Sequence, residues 1–219
     1  MKADVYLFDE HIATVYQDGD RVYFKQIALK AYKASPVSLS NTIEEVETTS
    51  LTYLEKVQGF ISDSLPGSFG NEILNNFFKN ENNGELPTVI DKLLFIGENG
   101  LGALVFKPQF HRESVDHQTL ELREMFERSK ELERGDGFHS LHNAFLVSAH
   151  SFAGGARAKA VAAINLETQE VYLGNRNKVP PKGFIPVIIK YDDTHKDDEK
   201  KSPIQNWSMS ITFWPLRPV

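Results

Sequence analysis

The sequence contains no cysteine. Disulfide bonds, thiolate zinc sites and cysteine nucleophiles are therefore excluded together, and any chemistry has to come from serine, histidine, lysine, carboxylate or backbone groups. No apolar run approaches the roughly 18 residues that a membrane-spanning helix needs, and the N-terminal residues lack the apolar stretch of a signal peptide. We therefore expect a cytoplasmic protein with no membrane partner.

An excess of basic residues is also missing. The 24 Lys and Arg residues are outnumbered by 30 Asp and Glu residues, which gives a net charge of -6, so we expect no direct binding of nucleic acid through bulk charge. The 219 residues are 41% hydrophobic, which is enough for one large domain or two small domains with apolar cores. A globally disordered chain is thereby excluded.

Patterns in residues 1–107 predict a subdomain of sheet and short helices. Three apolar runs indicate an antiparallel meander: 5–8, 12–16 and 21–27. The second and third runs are joined through Asp18-Gly19-Asp20, a sequence that favours a tight hairpin turn. The stretch 41–50 is typical of a surface loop, and 103–106 of a strand.

Three helices are predicted in the rest of this subdomain. The first follows from four apolar residues at helical spacing: Leu51, Leu54, Val57 and Ile61. Asn71 is placed to cap the second helix, and Pro87 suits the first turn of the third, which ends before Gly97.

Residues 108–191 predict helices followed by antiparallel strands. One helix is expected over 119–134, where Glu124 lies one turn before Arg128, and another over 141–149. Strands are expected at three places: 160–166, 170–173 and 184–191. The predicted fold class is therefore α+β, with a mixed sheet and helix subdomain followed by antiparallel strands and a glycine-rich loop.

The residues best suited to chemistry flank these strands. A loop, Gly154-Gly155-Ala156-Arg157-Ala158-Lys159, precedes the first strand, and the last strand contains Val187-Ile188-Ile189-Lys190. Protein kinases place a glycine-rich loop over the ATP phosphates and a lysine from a strand against them, because glycine lets backbone N–H groups approach and the lysine is a fixed point charge. The other interpretation is an ordinary Gly-Gly turn and a solvated lysine, and the spacing alone leaves both open.

Four segments carry a family resemblance. They are Phe60-Ile61-Ser62-Asp63-Ser64-Leu65-Pro66, Asp91-Lys92-Leu93-Leu94-Phe95-Ile96-Gly97, Gly100-Leu101-Gly102-Ala103-Leu104 and Gly154-Gly155-Ala156-Arg157-Ala158-Lys159. In this order they resemble the N-terminal half of HipA-type serine/threonine kinases, the toxins of bacterial toxin-antitoxin modules. The resemblance covers most of residues 1–191.

The resemblance implies a partial kinase-like N-lobe over 108–191 that binds ATP with Mg²⁺. It implies that five loop residues and one strand lysine contact the nucleotide: Gly154, Gly155, Ala156, Arg157, Lys159 and Lys190. It also implies a HipB-like DNA-binding antitoxin as partner and, for the intact kinase, a protein substrate such as an aminoacyl-tRNA synthetase. The family's regulatory serine is not carried over, because Phe152 occupies its position before the loop lysine.

The last part of the chain departs from the family. A kinase needs a catalytic-loop aspartate and a magnesium-binding aspartate in its C-terminal lobe, which in this family lie beyond residue 219. We therefore assign no catalytic residue and expect no phosphoryl transfer from this chain alone. Residues 192–219, a charged loop and an atypical tail, match nothing in the family. Two interpretations of the tail stay open. One is that a frameshift in the gene produced it; the other is a genuine strand, because Met209, Ile211 and Phe213 alternate with polar residues.

Two functions follow as expectations. The first is a truncated HipA-like kinase fragment that carries the ATP-phosphate loop and the ATP lysine. The alternative is a non-catalytic interaction module that binds the antitoxin or a separate kinase half.

Other candidate sites have simpler interpretations. His139 and His142 lack a carboxylate that would complete a metal site, and the acidic residues in 192–198 are interspersed with lysine and histidine, as in a solvated loop. Ser148 and Ser151 lie near a histidine but without an evident orienting acid. We predict no metal site and no serine nucleophile.

Overall fold

The computed structural model describes residues 1–28, 46–48, 51–100, 102–108, 117–133, 147, 149, 159–174, 179–191 and 209–213. These residues form a mixed α+β structure with two antiparallel sheets, as the sequence predicted. The chain divides into two compact units: unit 1 comprises Met1–Leu65 and Glu85–Glu113, and unit 2 comprises Pro66–Gly84 and Ser114–Val219. No helix in the described ranges is long and apolar enough to cross a membrane.

The sheet of unit 1 follows the chain closely. Its described strands are β1 (Lys2–Leu7), β2 (Glu10–Asp18), β3 (Arg21–Gln26), β4 (Val46–Thr48) and β5 (Leu104–Lys107), in the order β4-β3-β2-β1-β5. The predicted three-stranded meander and the predicted strand before Lys107 are confirmed. Gly19 adopts a φ of 54°, which is the left-handed conformation that the β2–β3 turn requires.

One stretch of unit 1 was predicted wrongly as a surface loop. The 41–50 stretch contains β4, which pairs with β3 so that Val46 lies opposite Lys25 and Thr48 opposite Tyr23. Backbone hydrogen bonds to the edge of β3 hold this short strand. Because such pairing depends on a distant segment, the local sequence pattern does not reveal it.

The inner face of this sheet follows from alternation along the strands, which is interrupted in β2 where Ile12 and Ala13 are both buried beside a bulge. Val5, Val15 and Phe24 are almost completely buried, whereas the residues next to them point to the opposite face. The ring of Phe24 meets that of Phe60 edge to face, with centroids 6.0 Å apart. The apolar core of unit 1 therefore lies on one side of the sheet.

Besides the helical residues Val147 and Ala149, four helices and one 3₁₀ helix have bounds within the described residues. They are the 3₁₀ helix Thr52–Leu54, α1 (Gly59–Ser62), α2 (Ser68–Glu81), α3 (Val89–Ile96) and α4 (Leu122–Glu133). The helices α1 and α3 belong to unit 1, and α2 and α4 belong to unit 2. The helix α3 packs against β1, β2 and β5.

The single helix predicted from Leu51 to Ile61 is wrong, because the chain breaks between the 3₁₀ helix and α1. Glu55 and Lys56 adopt φ values of 54° and 60°, which a right-handed helix does not allow. Distant partners hold both residues: Nζ of Lys92 lies 2.8 Å from the Glu55 carboxylate, and Nζ of Lys56 donates to the Asp20 carbonyl at 2.8 Å. These tertiary contacts offset the cost of the left-handed backbone.

Two helix starts also differ from the prediction. The helix α2 begins before Asn71, whose backbone N–H donates to the carbonyl of Gly67 at 2.8 Å. The helix α3 begins after Pro87, because Thr88 and Asp91 form a capping box in which each side chain accepts from the other residue's backbone N–H. Caps of this kind set a helix start more firmly than the apolar spacing does.

The sheet of unit 2 has a less sequential order. Its described strands are β6 (His117–Glu121), β7 (Lys159–Ile164), β8 (Glu170–Gly174), β9 (Ile185–Tyr191) and β10 (Met209–Phe213), in the order β10-β9-β7-β8-β6. The three strands predicted after residue 159 are confirmed. The strand β10 pairs with β9, in agreement with the genuine-strand interpretation of the tail.

One predicted helix of unit 2 begins later than expected. Residues 119–121 belong to β6 rather than to α4, because Leu120 pairs with the buried Val171 of β8. Within α4, the expected ion pair is present, with Nη2 of Arg128 donating to Glu124 at 2.6 Å. The helix predicted over 141–149 lies almost entirely outside the described residues.

Candidate functional site

Two of the predicted nucleotide-binding residues lie directly opposite each other. Lys159 is the first residue of β7, and its register partner in the antiparallel strand β9 is Lys190. Residues in such a pair have Cβ atoms about 4.5–5.5 Å apart and project from the same face of the sheet. The register therefore places two ammonium groups on one face, at one end of the strand pair.

The orientation of the two lysines follows from the residues next to them. Ala160 and Ile189 are also register partners, and both are fully buried on the other face. Because side chains alternate along a strand, burial of this pair turns the lysines to the opposite face. Lys190 is exposed there and Lys159 is half-buried.

Apolar residues continue along the lysine face. Val161 and Ile188 are the next pair on that face, and both are half-buried. Beyond them Ala163 pairs with Tyr172 of β8, whose ring lies 6.0 Å from that of Phe184. The face thus combines positive charge at one end with the half-buried Val161 and Ile188 beside it, and with the buried Ala163 and Tyr172 further along.

The electrostatics of the lysine pair favour an anion. Two like charges placed opposite each other destabilise a sheet by roughly 0.2–1 kcal/mol. An anion that reaches both ammonium groups gains attraction from each of them, whereas a lone surface lysine offers one weak, well-hydrated charge. The arrangement is suited to a multiply charged group such as a di- or triphosphate.

Four other predicted site residues lie outside the described part of the chain: Gly154, Gly155, Ala156 and Arg157. So do the histidine, serine and acidic candidates: His139, His142, Ser148, His150, Ser151 and the residues of 192–198. Among the described residues, no group of three or more His, Asp or Glu side chains is placed to hold a metal ion. The geometric evidence for the site therefore comes from β7 and β9.

Val161 and Ile188 were not predicted as site residues. They lie two positions from Lys159 and Lys190, respectively, and so share their face. The signal was present in the strand alternation, but only the β7–β9 register shows that the two residues meet.

A separate cavity of about 210 Å³ lies in unit 1 and contains none of the predicted site residues. Its lining combines two valines with charged and polar side chains of both signs: Gln17, Asp20, Val22, Thr52, Glu55, Lys56 and Val89. The Glu55 carboxylate already contacts Lys92, and the Lys56 ammonium already donates to a carbonyl. Because the lining carries charges of both signs that already have partners, it does not indicate which class of ligand the cavity would bind.

Comparison with known proteins adds no assignment. No protein-family model matches the chain, and no curated protein matches it.

Proposed function

We propose that the lysine face of unit 2 binds the phosphates of ATP, and that the chain is the nucleotide-binding part of a HipA-like serine/threonine kinase. The observation that carries the proposal is the register pairing of Lys159 with Lys190. Both lysines were selected from motif order, and motif order does not depend on strand register. Their direct pairing therefore supports the proposal independently.

Each group on the face has a defined role in this proposal. Lys190 lies in β9, which is paired on both sides by β7 and β10, so its backbone is held rigidly and its ammonium acts as a fixed point charge. Lys159 supplies a second charge from the neighbouring strand. Val161 and Ile188 supply an apolar surface for a purine ring, as nucleotide pockets usually do.

The partners follow from the family resemblance. We propose a HipB-like antitoxin as a protein partner and a protein such as an aminoacyl-tRNA synthetase as the substrate of the intact kinase. The ATP-phosphate contacts also include the loop from Gly154 to Arg157, which directly precedes Ala158 and Lys159 in the chain. Backbone N–H groups in such a loop provide donors to phosphate oxygens.

Binding of ATP is tested by thermal unfolding with ATP and Mg²⁺. A ligand at 100 times its Kd stabilises the folded state by about 2.7 kcal/mol, so the melting temperature should rise as millimolar ATP is added. The variant Lys190→Ala should bind ATP about 10- to 100-fold more weakly, the usual loss for a charged hydrogen bond of about 1.5–3 kcal/mol. AMP, which lacks the outer phosphates, should shift the melting temperature less than ATP does.

The matched control is Lys182→Ala, because Lys182 is an exposed lysine in the turn before β9. This variant should bind ATP like the parent chain. The ATP proposal fails if the parent shows no shift at millimolar ATP, a result that would favour the interaction module instead. It also fails if the two lysine variants lose affinity equally, because the effect would then be one of net charge.

A further inference from the structure

The outer face of the unit 1 sheet carries a second concentration of positive charge. Val15 and Phe24 are buried on the inner face, so Tyr16 and Tyr23 project from the other side, where both are half-buried. We call this side the tyrosine face. It is built by β1 to β5: Lys2, Asp4, Tyr6, His11, Thr14, Tyr16, Asp18, Arg21, Tyr23, Lys25, Val46, Thr48, Val105 and Lys107.

The register brings aromatic rings together at the centre of this face. Tyr16 and Tyr23 are cross-strand partners, and their rings stack with centroids 4.9 Å apart and planes 10° apart. A second stacked pair, Tyr6 and His11, lies further along the face with centroids 5.0 Å apart. The rings therefore stand as two short stacks on the sheet.

Exposed basic side chains surround the Tyr16–Tyr23 stack. Lys2 is the register partner of Tyr16, and Arg21 and Lys25 flank Tyr23 along β3. Residues two apart in a strand share a face and lie about 7 Å apart. A planar group stacked on these tyrosines would thus have a cation on each side of it along the strand.

The charge of the tyrosine face is opposite to that of the chain. Four basic side chains, Lys2, Arg21, Lys25 and Lys107, share the face with two acidic ones, Asp4 and Asp18. The Asp4 carboxylate is 19% exposed, contacts Lys2 at 3.3 Å and accepts from the Thr14 hydroxyl at 2.8 Å. The face has an excess of two positive charges in a chain whose net charge is -6.

We propose that the tyrosine face binds single-stranded nucleic acid. Proteins that bind single strands combine aromatic side chains, on which bases stack, with cations that follow the phosphates, and the register assembles both kinds of group here. A duplex hides the faces of its bases and cannot use the rings in this way. An acidic peptide would use the cations but has no need of the stacked tyrosines.

The test is fluorescence anisotropy with a labelled oligothymidine of about 12 nucleotides, a length within the usual site size for such surfaces. We expect a Kd of about 1–100 µM at moderate salt, the range of sequence-independent binding. Three neutralised phosphates should give a slope of about -2 in a plot of log affinity against log salt concentration. A duplex of equal length should bind more weakly than the single strand.

Variants separate stacking from charge. Tyr23→Ala should weaken binding about 5- to 100-fold, the usual effect of removing a stacking ring, and Tyr23→Phe should restore it. Lys25→Ala should weaken binding and make the salt slope shallower by about 0.7. Lys182→Ala in unit 2 is the charge control and should change neither quantity.

Three results would overturn the proposal. The first is no anisotropy change up to about 100 µM protein at low salt, where even the weakest expected Kd would leave half of the oligonucleotide bound. The second is equal binding by the parent and by Tyr23→Ala when both have the same circular dichroism spectrum. The third is that a duplex or inorganic polyphosphate displaces the labelled oligothymidine as well as an unlabelled single strand does. The tyrosine face would then bind anions in general, and an acidic protein would be an equally good ligand.

Discussion

The two sheets differ in what they place opposite their lysines and arginines. In unit 1, Lys2 lies opposite Tyr16, Arg21 opposite Asp18, and Lys25 opposite Thr14. In unit 2, Lys159 lies opposite Lys190. Cross-strand partners that attract stabilise a sheet and like charges destabilise it. The Arg21–Asp18 pair of unit 1 therefore joins opposite charges, whereas unit 2 contains two like-charge pairs, Lys159–Lys190 and Glu121–Glu170.

This difference shows where to look for function. The lysine pair places two cations on one face of the sheet, where a single anion could interact with both. On the tyrosine face the cations lie opposite neutral or acidic side chains, so like charges do not meet across its strands. Variants that alter one sheet at a time therefore separate the effects of the two sets of charges.

The largest effect is expected from Phe24→Ala in the core of unit 1. Phe24 is 2% exposed and contacts the ring of Phe60, so its removal leaves a cavity and should lower the free energy of unfolding by about 3–5 kcal/mol. The matched variant Tyr23→Ala, on the outer face next to it, should cost only about 1 kcal/mol. Urea unfolding followed by circular dichroism measures both. Equal costs would show that the tyrosine face is also a packed core.

A smaller effect is expected from the buried ion pair of unit 1. The Lys92 side chain is 9% exposed and that of Glu55 is 31% exposed, so Glu55→Gln leaves a buried ammonium without its carboxylate. We expect a loss of about 2–3 kcal/mol, at the lower end for such pairs because Glu55 is partly solvated. Lys92→Met removes the buried charge itself and should cost less. Urea unfolding midpoints of Glu55→Gln, Lys92→Met and the variant that combines them measure the three losses of stability. A larger loss for Lys92→Met than for Glu55→Gln would contradict the expected order.

The smallest effect, and one of opposite sign, is expected from Lys190→Glu in unit 2. This change turns the repulsion with Lys159 into an attraction, so the free energy of unfolding should rise by about 0.5 kcal/mol in the absence of nucleotide. The gain should shrink at high salt, which screens surface charges, and ATP binding should be lost. Thermal unfolding at two salt concentrations is the measurement, with Lys182→Glu as control. A loss of stability in Lys190→Glu alone would mean that the lysine pair is structural.

Local sequence patterns were sufficient to predict the helices and strands that are stabilised by contacts between residues close together in the chain. The N-terminal meander was predictable because apolar alternation and a glycine turn act over a few residues. The helix expected from Leu51 failed because Lys92 and Asp20, which hold the left-handed Glu55 and Lys56, are remote in sequence. The strand β4 was missed because only β3 reveals it.

For the candidate site, too, part was predictable from local sequence and part depended on the tertiary structure. Lys159 and Lys190 were named from motif order alone, since strand-end lysines and glycine turns are visible in any sequence. Their meeting face to face depends on the β7–β9 register, and a register shifted by one residue would put Lys190 on the other face. The positively charged tyrosine face was not predicted at all, because its members come from separate strands in a chain of acidic net charge.

The sequence by itself determined which residues form most strands, that no chemistry depends on cysteine, and which lysines are candidates for phosphate binding. Propensity, alternation and composition are properties of short segments, so they are readable without the fold. Only the tertiary structure decided which side chains face each other, because strand register and long-range ion pairs join residues far apart in the chain. Charge that is diluted along the sequence thereby becomes concentrated on two sheet faces, one with paired lysines and one with stacked tyrosines.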